Sequence, residues 1–458
     1  MAGPVAAGDT SINIDRTGNK LGPIWLVPGI SYLNVYTLLF ASFASIGLNS
    51  FLNAFQPYIL TEHLNIVAGT QFEPGEQGRV TSLLGTIQEI MMILLLAPIG
   101  ALADKIGRRP IYVAGFCFIA LGYVLYPTAT SLPVLVAFRF VYGAGAACIV
   151  AMLATVIADY PQNPNRGKLI GACGFLQGLG IVVCIFTLMR LPEWYSSFEG
   201  VTGVWAGRYS LWTVGFICLV VAIVLRIGLK GGVPRAESNQ DSFLGLLKTG
   251  FRAAQNPRIA LSYGAAMISR GDLILVSTFF ALWLTQAGIA SGLTPSEASV
   301  RTGMFYGFVQ ACAVLWAPIM GFLIDRINRV TALCIAITLA AIGYMSLGLV
   351  TDPIGPQMYV AAIVLGMGEV SGVLASQALI GQEAPDRERG SIFGTFGFTG
   401  AIGVLAAISI GGFLFDFWAP SAPFVVMGIA NVVLLVAAVI VRLKWGGSES
   451  TEATPSKF

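Results

Sequence analysis

Charge is what this sequence lacks most. Only 11% of its 458 residues are Asp, Glu, Lys or Arg, against about 25% in an ordinary soluble domain. The net charge of +3 is too small an excess to neutralise a nucleic-acid backbone, so no nucleic-acid partner is expected. Histidine occurs once, at His63, where it is expected in a solvated loop. The seven cysteines, Cys117, Cys148, Cys173, Cys184, Cys218, Cys312 and Cys334, include no C-x-x-C spacing and all fall in apolar runs. They read as small buried hydrophobes rather than a disulfide or metal framework. No N-x-S/T acceptor appears, and no cleavable signal pattern precedes the first apolar run, which is expected to be retained. Nucleophile elbow, phosphate loop and metal-spaced cluster are all missing, which argues against an enzyme and against a cofactor.

What the chain has is apolar length. It is 56% hydrophobic, with mean hydropathy +0.78. Runs of roughly 18 or more apolar residues read as membrane-spanning helices. Twelve are predicted, near 34–60, 78–103, 110–128, 131–159, 167–190 and 209–228, then 258–288, 300–323, 330–350, 356–383, 390–415 and 421–442. The fold class is therefore an all-α membrane protein of twelve transmembrane helices in two six-helix halves. The expected organisation is an N-terminal segment 1–33, a first half 34–228, a linker 229–257, a second half 258–442 and a tail 443–458. The linker holds the polar run 234-PRAESNQDS-242. The stretch 243–258 follows, with Lys248, Arg252 and Arg258 beside apolar residues at helical spacing, and reads as an amphipathic helix on the membrane surface. With both termini cytoplasmic, the inner segments hold 20 of the 26 Lys and Arg residues, as the positive-inside bias requires. The outer loops hold Arg79, Arg190, Arg208 and Arg301.

The two halves repeat. The stretch 100-GALADKIGRRP-110 has a counterpart in 321-GFLIDRINRV-330. The stretch 166-RGKLIGACGF-175 aligns with 389-RGSIFGTFGF-398 at an offset of 223 residues. The same offset carries Gly143 onto Gly366 and Gly145 onto Gly368. An internal parallel repeat of this kind is a transporter architecture.

These residues carry a resemblance that covers nearly all of the chain. Gly100, Leu102, Asp104, Gly107, Arg108 and Arg109 match the G-x-L-x-D-x-x-G-R-R loop of the major facilitator superfamily. The second copy keeps Gly321, Leu323, Asp325, Arg326 and Arg329, with Asn328 in place of the second glycine. The resemblance implies two halves rocking about a central cavity lined by spans one, four, seven and ten. It also implies a conformational latch at Gly100, Asp104, Gly107, Arg108, Arg109, Asp325 and Arg326. In that latch Asp104 accepts hydrogen bonds from a neighbouring helix end, while Arg108 and Arg109 hold the inner face. The run Arg139, Gly143, Gly145, Ala146, Ala147 resembles the span-four motif of proton-coupled drug antiporters, whose arginine helps a carboxylate exchange its proton. Span five departs from those antiporters: 171-GACGFLQGLGIVV-183 has glycines but no G-P-x-x-G-G. Sugar-porter and peptide-porter signatures are absent.

Five ionisable residues lie deep inside spans: Glu89, Arg139, Arg270, Asp272 and Glu369. Each costs roughly 2.5–3.5 kcal/mol at a helix centre, so each is expected to face a wet cavity or a partner. Arg270 lies twelve residues into span seven, about 18 Å, and Glu369 thirteen into span ten, which predicts an Arg270–Glu369 pair near the midplane. Similar depth predicts a Glu89–Arg139 pair in the first half. Arg270 and Asp272 are two residues apart, about 200° around a helix, so Asp272 is expected to face a different helix. Asn49, Asn53 and Gln56 share a face of span one and complete the cavity candidates, with Gln177, Gln310 and Gln377 behind them. Phe279, Phe280 and Trp283 suit either an apolar pocket or lipid.

The expected function is secondary active transport of a small solute by alternating access, as proton-coupled efflux of amphipathic compounds. The competing reading is proton-coupled uptake of a small organic anion or other metabolite, and behind both stands a sensor or scaffold without turnover. The expected partners are the solute, protons and the lipid bilayer. The expected setting is a plasma (bacterial inner) membrane, with the chain working as a monomer.

Overall fold

A computed structural model describes residues 18–64, 75–162, 166–232, 243–385 and 388–446. The expectations for 1–17, for the polar run 234–242 and for the tail beyond 446 lie outside the described residues. Among the described residues, twelve helices are long and apolar enough to cross a membrane. In the first half they are Tyr32–His63, Gln77–Ile106, Arg108–Thr128, Leu132–Asp159, Arg166–Ser196 and Gly203–Gly228. In the second they are Pro257–Ala290, Pro295–Arg326, Arg329–Leu349, Gln357–Glu383, Arg389–Phe417 and Ala422–Lys444. They are called spans one to twelve below.

Local chemistry sets several ends. Ser31 and Asn34 cap each other reciprocally at the start of span one. Thr294 and Glu297 do the same for span eight, with Pro295 in the first turn. Each arrangement satisfies N–H groups that a helix start leaves without partners. Pro57 in span one offers no N–H to the carbonyl of Asn53, and the helix widens directly afterwards into a π turn, Ile59–Leu64. Span seven widens likewise at Val276–Phe280. The leading helix of each half thus carries a π turn on the way to the end of the bundle opposite the termini.

Packing follows the repeat. Span one lies on five as seven lies on eleven, three on four as nine on ten, three on six as nine on twelve, and two on four as eight on ten. Glycines make this closeness possible where equivalent positions meet backbone. A Cβ at Gly180 would strike the carbonyl of Phe43, and one at Gly403, 223 residues later, would strike that of Met267. Small residues at such crossings let helices approach without a hydrophobic driving force.

The linker helix Phe243–Ala253 forms as its spacing predicts and has a protein partner besides. Gly250 packs against Ser391 and Thr395 of span eleven, the Tyr263 hydroxyl donates to the Gly250 carbonyl at 3.0 Å, and Phe251 meets Phe398 edge to face. Arg258 belongs instead to the start of span seven, bonded to Glu383 at 3.3 Å and to the Trp445 carbonyl at 2.8 Å. The last segment of span five, the short helix Leu191–Ser196, carries Trp194 and Tyr195, which cluster with Trp205, Tyr209 and Trp212 at the end opposite the termini. Rings of this amphipathic kind suit a membrane–water boundary.

Candidate transport site at two seams

The halves meet along two seams, spans two with eleven and five with eight. Both are shut at the end opposite the termini. The Asp416 carboxylate accepts from the backbone N–H groups of Gly78 and Arg79 at 2.8 and 2.7 Å. Ser82 donates to the Ile408 carbonyl at 2.8 Å, and Thr86 meets Ser409 at 3.2 Å. On the other seam Ser299 donates to the Met189 carbonyl at 3.1 Å, while Gly303 and Gly307 press on Met189 and Phe186. Tyr58 and Ser196 both reach Ser296, at 3.3 and 3.1 Å.

Toward the terminal end the same helix faces are bare. Gly100 continues the face of Gly78 and Ser82 on span two. Gly390, Gly394 and Gly397 continue that of Ile408 on span eleven. Gly167, Gly171 and Gly174 continue that of Gly178 on span five, and Gly321 that of Gly303 on span eight, all by helical periodicity. A Cβ at any of these eight glycines would meet nothing within 4 Å, whereas Gly178 meets Val314 and Gly85 meets Ile408. The paired stretches 166–175 and 389–398 therefore have a structural meaning: they supply the open lips of the two seams.

The loop motif ties helices within the first half. Gly107 adopts φ +98°, where a side chain is strained, and its Cα faces the Gly232 carbonyl. Arg108 bonds Asp104 and, at 3.1 Å, Asp159 at the end of span four; Arg109 reaches the Leu229 carbonyl at 3.4 Å. Arg108 and Arg109 thus join spans two, three and four and the segment after span six at this face. Asp104 does not cap a neighbouring helix; it takes the guanidinium one turn ahead of it. In the second copy Arg326 lies over the Phe322 ring at 4.1 Å, Arg329 donates to the Ala378 carbonyl at 2.9 Å, and Asp325 is exposed.

Arg139 is buried to 1% exposure, and its partners are neutral. It donates to Asn53 Oδ1 at 2.6 Å and to the Leu84 carbonyl at 3.2 Å, and it lies over the Tyr126 and Tyr142 rings. The Tyr142 hydroxyl in turn donates to Asn49 at 3.1 Å. Asn49, Asn53 and Arg139 thus come together, and Glu89 does not join them. The predicted Glu89–Arg139 pair fails because similar depth says nothing about azimuth: Arg139 reaches span two at the Leu84 carbonyl and turns its outer nitrogen to Asn53 of span one, not to Glu89. Gln56, one turn beyond Asn53, is buried with neither amide atom bonded.

The second expected pair is also corrected. Arg270 packs over Gly400 of span eleven and interacts electrostatically with Glu89 across the seam between the halves. Asp272, 200° away, faces the interior of the second half, and it is Asp272 that shares the neighbourhood of Glu369. Asp272 accepts from Asn431 Nδ2 at 3.1 and 3.2 Å; Glu369 accepts from Gln310 Nε2 at 3.2 Å on each oxygen. Gly271 does not bend the helix; it lets spans eleven and twelve approach, against Gly403 and Met427. Phe279, Phe280 and Trp283 are buried against Phe415 and Phe424 inside the second half, so neither lipid nor a pocket claims them. His63 is buried rather than solvated, with Nε2 at 2.8 Å from the Ala129 carbonyl.

Sequence reasoning passed over Asn431, Asp416 and Tyr344. Asn431 is the one strongly polar residue in the middle of span twelve, which was signal enough to suspect a buried partner. Asp416 stood too near a span end to look costly, and Tyr344 has no distinguishing pattern.

A bundle of twelve spanning helices, shut across one end and open along glycine faces at the other, defines a multi-pass membrane transporter rather than an enzyme. The family model of the Major Facilitator Superfamily matches residues 38–311 and 263–456, and the chain belongs to that superfamily. It is 27% identical over 401 residues to magnetosome protein MamH of Paramagnetospirillum magneticum, covering 85% of this chain and 88% of MamH. It is 25% identical to MamZ of the same organism over 84% of this chain, and there the match spans only 58% of the relative's length. Among solved structures, the nucleoside transporter NupG superposes with a TM-score of 0.67 at 16% identity, covering 90% of this chain and 99% of NupG; at that identity the likeness is one of fold.

Proposed function

We propose that the chain is a proton-coupled exporter of amphipathic compounds, loaded from the terminus-bearing side. The observation that carries this reading is the placement of Glu89 and Arg270. Glu89 follows Thr86, a seam contact of span two, by one helical turn, and Arg270 packs over Gly400 of span eleven on the other half, so one charge of each sign flanks the point where the closed seam gives way to the open one. A solute entering there separates a cation from an anion, and closing the bare glycine faces behind it moves it across. With the basic end cytoplasmic, the described state is the one that receives an export substrate, in a plasma or bacterial inner membrane. One chain completes both seams, so a monomer suffices.

Proton coupling is assigned to the ionisable set Glu89, Asp272 and Glu369. A carboxylate alternating between a wet and a dry setting, or between a near and a distant cation, exchanges its proton. The test is flux in proteoliposomes under an imposed proton gradient. Glu369→Gln is expected to abolish gradient-driven movement while downhill exchange continues; gradient-driven flux unchanged in that variant would remove Glu369 from the mechanism. The uptake of a small organic anion is favoured by one observation, the buried Arg139 without a carboxylate partner beside the unbonded Gln56. Arg270→Gln separates the readings: an anion carrier loses solute binding, whereas an exporter keeps binding and loses coupling.

A further inference from the structure

The segment ahead of span one folds back over the terminal end of the first half as a strap. Lys20–Leu21 and Ile24–Trp25 pair as a two-stranded hairpin. The strap is then tied to the end of span four. The Val27 N–H donates to the Tyr160 carbonyl at 3.0 Å, the Gln162 N–H to the Trp25 carbonyl at 3.0 Å, and Gln162 Nε2 to the Leu26 carbonyl at 2.9 Å. Between the strap and the segment that leaves span six lies a cavity of about 340 Å³, inside the range of about 300–1,000 Å³ common to small-molecule sites. Val27, Ile30, Val156 and Leu229 give it an apolar wall, and Arg108, Arg109, Lys230 and Asp159 bring it three cations and one carboxylate. Asp159 is already taken by Arg108, which Asp104 also holds. Arg109 and Lys230 carry the surplus, and among the described residues neither enters an ion pair. Close backbone approaches set both. Arg109 donates to the Leu229 carbonyl at 3.4 Å and packs its guanidinium on Gly231, where a Cβ would lie 2.7 Å from Nη2. Lys230 lays its ammonium against Gly29 of the strap.

We propose that Arg109 and Lys230 form a binding site for a phosphate group, beneath the strap and apart from the solute cavity. A guanidinium fork takes two phosphate oxygens at once, and an ammonium meets a third as a point charge. The apolar wall beside them suits a phosphate that carries an apolar body. Basic pockets at the inner ends of spanning helices are where anionic headgroups bind, and a soluble phosphate compound offers the same oxygens. A phosphate held there bridges the start of span three and the segment after span six, and Lys230 extends the bridge to Gly29 of the strap. The strap also holds Tyr160 and Gln162, on the way from span four to span five. Occupancy therefore stiffens the base of one open lip. The site stands or falls without the transport reading above.

The test uses the purified, delipidated full-length chain in detergent at constant ionic strength. Its unfolding temperature is followed as sodium phosphate or dioctanoyl phosphatidylglycerol is added, with sodium chloride and dioctanoyl phosphatidylcholine as controls. A rise with phosphatidylglycerol alone identifies a lipid headgroup as the occupant; a rise with inorganic phosphate identifies a soluble phosphate. Arg109→Gln/Lys230→Gln should abolish the rise. Should that variant not fold, Lys230→Gln alone should shift the midpoint about tenfold to higher concentration, and Lys230→Arg should restore it. Gly231→Ala keeps both charges but unseats the guanidinium, and should shift the midpoint by a similar factor. Lys105→Gln removes an exposed cation outside the cavity and should respond as wild type does. A wild type unmoved by both probes, an equal rise with phosphatidylcholine, or Lys230→Gln and Gly231→Ala both matching wild type overturns the site. An equal loss in Lys105→Gln reduces the effect to diffuse surface charge and overturns it as well.

Discussion

The two halves share one scaffold and bury opposite charge in it. In the first, a guanidinium is held by an amide oxygen, a backbone carbonyl and two aromatic faces. In the second, two carboxylates are held by two side-chain amides. Among the described residues none of the three forms an ion pair: Glu89 and Arg270, the remaining in-span charges, do not bond to them. The repeat therefore conserves helix crossings, at Gly180 and Gly403 for instance, while the polar interior is free to diverge. The difference also ranks tolerance. The arginine satisfies fixed acceptors, so removing it strands them. The carboxylates are met by amide donors that an uncharged amide can accept from equally well.

The largest expected effect tests the first half. Arg139→Ala removes a buried side chain and leaves Asn53 Oδ1 and the Leu84 carbonyl without a donor, costing on the order of 3–5 kcal/mol. Thermal unfolding in detergent should show a severely destabilised protein; a melting temperature near wild type would mean that the arginine is not structural. Next comes Asn53→Ala, which withdraws one acceptor from a charged donor and should cost about 1.5–3 kcal/mol in the same assay. The second half should respond with the opposite sign. In sodium-free buffer at high pH, Asp272→Asn relieves an uncompensated buried charge and should stabilise by roughly 1 kcal/mol or more; destabilisation under those conditions would show that a protein cation compensates Asp272 after all. The smallest effect separates folding from motion. Gly397→Ala and Gly174→Ala meet open space, so stability should move by no more than about 0.5 kcal/mol, while transport rates fall because the open lips no longer close flush. Unchanged flux in both would detach these faces from the cycle.

The sequence made the twelve spans legible because hydropathy and length suffice for a helix in lipid, and the bounds agree to within a few residues for most spans. Spans five, six and eight depart most: five runs on to Ser196, eight starts at Pro295, and the start of six at Gly203 hid behind Arg208, which a hydropathy reading treats as loop although it reaches the Pro127 carbonyl. The repeat was legible too, because glycine is the residue that a close crossing cannot replace. The five charges inside spans stood out by cost alone. Their partners did not, since depth along a helix is linear in sequence but azimuth depends on how each helix is rotated in the bundle. That rotation put Asp272, not Arg270, beside Glu369, and sent Arg270 across to Glu89. It also hid Gln310 and Asn431 as the residues that solvate the carboxylates.

One contact at the shut end has a thermodynamic reading. Span two begins with N–H groups that its own half does not cap, and Asp416 of the other half, its side chain buried, supplies the acceptor. Separating the halves there exchanges a helix cap for water, a difference of about 0.5–2 kcal/mol. On the scale of an equilibrium constant that is a factor of roughly two to thirty. A single aspartate can therefore set how long the transporter dwells facing each side of the membrane, without touching anything it carries.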